Sequence, residues 1–194
     1  MDEIKKLSTL GDVQVDQAVG VFVTSFYDVF SSISKDRVKL HKLFKCSFDY
    51  DLTYAYLRDG VVVGFLGLGT CQKRSIKLDR VVFLELMSGF AGVVSYRVIR
   101  GAVEKINVSG FEGVYIDHIA TSPEYRGRGI ATKFVEYVCN TLGYKYVELD
   151  VLAKNERAKQ LYERLGFKVV KKKLDFIMVI SGVGRRVVMR WEVK

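Results

Sequence analysis

From Gly113 to Gly166 the chain alternates strand, glycine-rich turn, helix, strand and helix, and this order constrains the fold more than any other feature. Gly113–Thr121 is an apolar run of strand character, followed by Ser122-Pro123-Glu124-Tyr125-Arg126-Gly127-Arg128-Gly129. Ile130, Phe134, Val135, Val138 and Leu142 then recur at helical spacing, and Gly143 supplies a stop. Tyr146–Leu152 reads as the next strand, and Asn155–Leu165 as a helix closed by Gly166. A strand–helix–strand connection of this length makes its two strands parallel neighbours in one sheet.

The flanking segments are of another kind. Glu3–Leu7 suits a short strand, and Val13–Ile33 carries apolar residues at three- and four-residue steps, an amphipathic helix. Asp36–Phe44 suits a shorter helix, and Leu52–Arg58 and Val61–Thr70 flank Asp59-Gly60, a hairpin signal. Residues 79–106 read as a helical insertion, and Leu174–Ile180 and Val187–Val193 as a closing hairpin. Strands and helices are mixed, with a parallel-type connection only in the middle. The expectation is an α/β (α+β) fold, a single domain over residues 1–194 around one mixed sheet.

The 194 residues can bury a core without disulfide or metal staples, and 49% hydrophobic with 27% charged residues excludes a disordered or low-complexity chain. The longest stretch without a charge, Gly60–Gln72, has 13 residues, short of the roughly 18 a membrane-spanning helix needs. Met1-Asp-Glu-Ile-Lys-Lys lacks the pattern of a signal peptide. Cys46, Cys71 and Cys139 are odd in number and far apart, fitting neither a disulfide framework nor a zinc site. A cytoplasmic chain with reduced, buried thiols is expected. The net charge of +9 calls for a polyanionic partner: nucleic acid, an acidic membrane or a small phosphorylated ligand. No helix-turn-helix, zinc-finger or RNP-type sequence accompanies it, which counts against nucleic acid.

Arg126-Gly127-Arg128-Gly129-Ile130-Ala131-Thr132 opens a helix. A helix's first turn has backbone N–H groups without partners and a partial positive charge, so it suits phosphate. Glycine at 127 and 129 lets an anion approach the main chain with no Cβ in the way. A plain tight turn would look the same. The stretch is neither a Walker A loop nor a dinucleotide fingerprint. Asn155 and Tyr162 lie two helical turns apart, on one face with Ala158 between them. Taken alone, that helix reads first as an Asn N-cap, a half-buried tyrosine and a glycine C-cap.

Together, in order and spacing, the two motifs resemble the GNAT superfamily of acetyl-CoA-dependent N-acetyltransferases. Arg126-x-x-Gly129-x-Ala131 is similar to that family's Gln/Arg-x-x-Gly-x-Gly/Ala pyrophosphate loop. Asn155-x-x-Ala158-x-x-Leu161-Tyr162, ending in Gly166-Phe167, is similar to its second cofactor motif, and Ile116–Thr121 to its preceding strand. The likeness covers about residues 113–167 and is loose over 79–106 and the extreme N-terminus.

The resemblance implies a splay between the two parallel strands, helices on both faces of the sheet, and the pantetheine arm of acetyl-CoA in the gap. Backbone groups of Ile119, Ala120 and Thr121 would hold that arm, and Asn155 would contact it. Arg126 would flank the pyrophosphate, held by N–H groups of Gly127, Arg128, Gly129, Ile130, Ala131 and Thr132. Tyr162 would aim its hydroxyl at the thioester sulfur and protonate the departing thiolate. An amine would attack the acetyl carbonyl directly in a ternary complex, with no metal.

A lysine-like amine near pKa 10.4 is mostly protonated at pH 7, a penalty of about 4.6 kcal/mol, so something must accept its proton. Asp117, Glu148 and Asp150 are the acids on the central strands. Asp117 and Glu148 are the candidates, unless each is paired with arginine or lysine. Strand alternation puts His118 opposite Asp117 and assigns it to packing. The acceptor stays open, as a primary amine of a small molecule or peptide. So do two rival functions: a CoA-binding regulator without turnover, and a basic nucleic-acid-binding module. The 79–106 insertion has two roles open to it, covering the substrate side of the gap or contacting a second copy in a homodimer.

Overall fold

A computed structural model describes residues 1–108, 110–173 and 185–193. In chain order the elements are β1 (Asp2–Lys6), α1 (Asp12–Ser25), α2 (Tyr27–Phe30), α3 (Arg37–Ser47), β2 (Thr53–Arg58), β3 (Val61–Gly69), α4 (Arg80–Leu86), α5 (Gly89–Val103), β4 (Gly113–Thr121), α6 (Ile130–Thr141), β5 (Tyr146–Leu152), α7 (Glu156–Arg164), β6 (Lys168–Lys173) and β7 (Arg186–Glu192). Local chemistry sets many of their ends. The Asp36 carboxylate accepts from the N–H groups of Val38 and Lys39 (2.9 and 3.2 Å) and starts α3. Asp79 accepts from Val82 N–H at 2.9 Å and starts α4. Asp59 and Gly60 both take positive φ, 51° and 81°, in the two-residue turn between β2 and β3.

Two expectations change. The helix over Val13–Ile33 is broken at Phe26, whose φ of −113° and ψ of 17° leave the helical region between α1 and α2. Apolar spacing carries on across the break, so periodicity does not register it. The segment Leu174–Ile180 lies outside the described residues; its expected partner appears as β7. The insertion forms α4 and α5, and β6, rich in lysine, lies at the edge of the sheet.

The described strands form one sheet in the order β1-β2-β3-β4-β5-β7-β6, with β4 and β5 as its parallel pair. One face carries an aromatic core in which Phe22 of α1 packs on Phe44, Phe48 and Phe65 at centroid distances of 4.9, 4.9 and 5.1 Å. α1, α3, α4 and α5 cover this face. α6 and α7 cover the other, where Ile130, Phe134, Val135 and Val138 meet Leu66, Val114, Ile116, Leu149 and Met189. A Cβ at Gly64 would stand 2.9 Å from both Ile130 Cγ2 and Phe134 Cε2, so glycine there lets α6 settle onto β3. Helices on both faces of a mixed sheet agree with the fold expected.

Candidate active site

The site starts where sheet pairing stops. β4 pairs with β5 only over Gly113–Ile116 against Tyr146–Leu149. Beyond that point Asp117–Thr121 belong to the β3 side, and Asp150–Leu152 pair with β7 alone. The two parallel strands therefore splay, as expected. A cleft of about 580 Å³ occupies the gap. Ser25 and Phe26 line it from one face of the sheet, and α6 and α7 from the other.

A bulge in β4 shapes the gap. His118 faces Gly67 and Ile116 faces Leu68, so Asp117 is an extra residue in the register. Its carboxylate turns away from the gap to Arg74 Nε at 2.7 Å, with the two side chains only 1% and 9% exposed. The backbone N–H and hydroxyl of Ser75 donate to the same carboxylate at 3.1 and 2.8 Å. Asp117 as a whole is only half-buried, so its accessible atoms are main chain. Gly67 and Gly69 make room: a Cβ at Gly69 would lie 2.8 Å from Arg74 Cδ and 2.9 Å from Asp117 Oδ1, and one at Gly67 2.7 Å from Ser75 Oγ.

The bulge also corrects the placing of His118. Alternation puts it opposite Asp117, but the extra residue brings both onto one face, where ideal Cβ atoms at Gly67 and Gly69 approach His118 and Asp117. His118 packs edge-on against Phe22 and Phe26, at 5.3 and 5.4 Å. Burial pulls its imidazole down to about 4, against a smaller opposing pull from Asp117. A neutral packing histidine results, the role expected of it.

The β4–α6 connection makes a cradle. Pro123 opens a single 3₁₀ turn, and Gly127 and Gly129 take φ of 76° and 79°. Gly129 is the N-cap of α6, where the first amides of a helix point outward without partners. No atom lies within 4 Å of an ideal Cβ at either glycine. Arg126 donates from Nε to the Thr121 carbonyl at 3.4 Å. Ile119, Ala120, Thr121, Arg126, Gly127, Gly129, Ile130, Ala131, Thr132, Asn155 and Tyr162 all line the cleft. Arg128 does not; its guanidinium lies over the Tyr125 ring at 5.0 Å.

On α7, Asn155 uses Oδ1 to accept from Ala158 N–H at 3.1 Å, which leaves its amide nitrogen for the cleft. The N-cap and ligand-contact readings are thus compatible. Tyr162 stacks obliquely on Phe167 at 5.8 Å, and burial raises its hydroxyl pKa, so the phenol keeps its proton at neutral pH.

The two carboxylates considered as bases are both paired with arginine. Glu148 accepts from Arg190 Nε at 2.9 Å, with Nη2 of the same guanidinium 2.8 Å from that oxygen, as Asp117 is paired with Arg74. Neither lines the cleft. Asp150 on the same face of β5 lies 3.1 Å from Arg186 Nη1. The thiols also differ from expectation. Cys46 is exposed on the outer side of α3, and Cys71 and Cys139 are half-buried. Burial pushes the Cys139 thiol up to about 12.

Ser25 and Phe26 escape sequence reading because the gap joins them from about ninety residues upstream of β4. Arg157 and Arg164 carried a usable signal, the same seven-residue spacing as Asn155 and Tyr162, but charged residues on a short helix read as solvated. Among the described residues no helix is long and apolar enough to cross a membrane, and no group of three His, Cys, Asp or Glu side chains is arranged to hold a metal ion.

A splayed parallel pair, a glycine-capped helix at its mouth and a tyrosine-bearing helix opposite define a fold shared with acetyltransferases. The family model for the acetyltransferase (GNAT) family matches residues 22–167, and the chain belongs to that family. A 56-residue stretch is 39% identical to the bovine (Bos taurus) thialysine N-epsilon-acetyltransferase, covering 27% of this chain but only 33% of the bovine protein. The ribosomal-protein-S18-alanine N-acetyltransferase of Escherichia coli superposes with a TM-score of 0.57 at 15% identity, covering 100% of this chain and 95% of that one. An N-acetyltransferase from Staphylococcus aureus gives 0.60 at 17% identity, over 97% and 100%. At these identities the two structures support the fold.

Proposed function

We propose that the protein transfers an acetyl group from acetyl-CoA to a primary amine of a small molecule or peptide. The coincidence of three features in one cleft carries this reading: the β4 segment Ile119–Thr121, whose edge β5 does not pair, the amide cradle of α6 and the hydroxyl-bearing face of α7. The cradle fits the pyrophosphate, since a Cβ-free approach and outward amides suit an anion. The backbone of Ile119–Thr121 suits the amide groups of pantetheine, with the Asn155 side-chain amide across from it.

Tyr162 is the general acid in this reading. The amine attacks the acetyl carbonyl, the carbon–sulfur bond breaks, and the phenol supplies the proton that the departing thiolate takes. The proton lost by the amine passes to water at the acceptor side. Asp117 and Glu148, each held by an arginine, act there by fixing strand geometry and local field. The name of the bovine relative makes side-chain amines of lysine-like amino acids the first acceptors to try, followed by peptide N-termini, arylalkylamines and polyamines.

The test is release of CoA thiol from acetyl-CoA across that panel, with an acetyl mass increment on the amine. Turnover of at least one amine is expected. Tight acetyl-CoA binding with no turnover of any amine would favour a CoA-binding regulator instead. Salt-sensitive nucleic-acid binding without acetyl-CoA binding would favour the basic module.

A further inference from the structure

The α7 wall of the cleft is sorted by charge. Glu156 and Glu163 each lie 3.9 Å from Lys159, and these three share the outer face of the helix. Arg157 and Arg164, two turns apart, instead line the cleft with Leu161 and Tyr162. No carboxylate among the described residues pairs with either guanidinium. The helix therefore keeps its acids on one side and, among the described residues, offers on the other two arginines with no carboxylate partner.

The amide cradle of α6 accounts for one anionic group. Acetyl-CoA carries two in different places: a pyrophosphate within its chain and a phosphate monoester on its ribose. A pyrophosphate suits a row of backbone amides and a helix N-terminus. A monoester, with close to two charges and three free oxygens, suits forked guanidinium donors. The geometry points to Arg157 and Arg164 as a second anion subsite that receives the ribose phosphate and so selects CoA over its dephosphorylated form. The inference rests on the acetyl-CoA reading above.

The test titrates wild type, Arg157→Gln, Arg164→Gln and the double variant with acetyl-CoA and with acetyl-dephospho-CoA. Wild type binds acetyl-CoA the more tightly. Each single substitution lowers that affinity by about tenfold, the size of a lost charge-assisted hydrogen bond, and leaves the dephosphorylated cofactor within about twofold. The double variant no longer distinguishes the two. Lys159→Gln removes the same charge from the outer face and keeps the wild-type preference. Equal losses for both cofactors, no loss, or a matching loss in Lys159→Gln overturns the subsite. A wild type that binds neither cofactor overturns the acetyl-CoA reading itself, and the subsite falls with it.

Discussion

The two walls of the cleft are built to opposite plans. On β4 the one charged side chain, Asp117, is turned inward and tied to Arg74 and Ser75, and the strand edge along Ile119–Thr121 meets the gap with no β5 partner. On α7 the main chain is closed inside a helix, and what faces the gap is side chain: Asn155, Arg157, Tyr162 and Arg164. One wall presents fixed amides and carbonyls that side-chain exchange leaves in place, the other presents groups that can be exchanged singly. Changes on the β4 wall should therefore register in stability, and changes on the α7 wall in binding and turnover.

The strongest way to break that contrast is at Arg74. Arg74→Met leaves Asp117 as an unpaired buried carboxylate, which is expected to cost about 3–5 kcal/mol in urea unfolding. The double variant Arg74→Met/Asp117→Leu recovers much of that loss, since neither charge is left alone. An Asp117→Asn protein that keeps its stability but loses turnover would instead place this carboxylate among the reacting groups. The next effect is on pH. His118 is held at about 4 when folded and returns to its ordinary 6.5 when unfolded, so between these values the unfolded chain binds more protons. Stability is then complete above pH 6.5 and falls by about 3 kcal/mol as the pH drops to 4. His118→Gln should flatten that part of the stability–pH curve; an unchanged slope would show that His118 is not its source.

The same contrast explains what was legible in the sequence. The α7 wall reads well because helix periodicity places Asn155, Ala158 and Tyr162 on one face without further information. The cradle reads well because glycines 127 and 129 and the N-cap position are local chemistry. The β4 wall reads poorly. A bulge moves every residue beyond it to the other face, and the partners that stabilise it, Arg74 and Ser75, lie more than forty residues upstream. The pairing of Asp117 and Glu148 with arginines depends on which strands become neighbours, and strand order is non-local. The break at Phe26 is hidden for a different reason: the apolar spacing is as regular across it as within α1.

Tyr162→Phe tests the α7 wall directly. It removes one hydroxyl from a ring that keeps its packing on Phe167, and kcat on a proven amine is expected to fall about a hundredfold. The KM for acetyl-CoA and the urea midpoint should move little. Unchanged kcat would remove Tyr162 from the mechanism, and a large loss of stability would place it with the β4 wall instead.

The smallest effect divides the two plans within one helix. Gly129 at the start of α6 and Gly143 just beyond its end have φ of 79° and 75°, and an ideal Cβ at either has no atom within 4 Å. Alanine at either position pays only for the left-handed backbone, about 1 kcal/mol of stability. Binding should separate them. At Gly143 the added methyl stands in solvent far from the cleft, whereas at Gly129 it stands where an anion must approach the amides of α6. Gly129→Ala is therefore expected to weaken acetyl-CoA several-fold while Gly143→Ala leaves it unchanged, measured on proteins of matched stability. Equal affinities for the two variants would mean that the cradle is an ordinary tight turn.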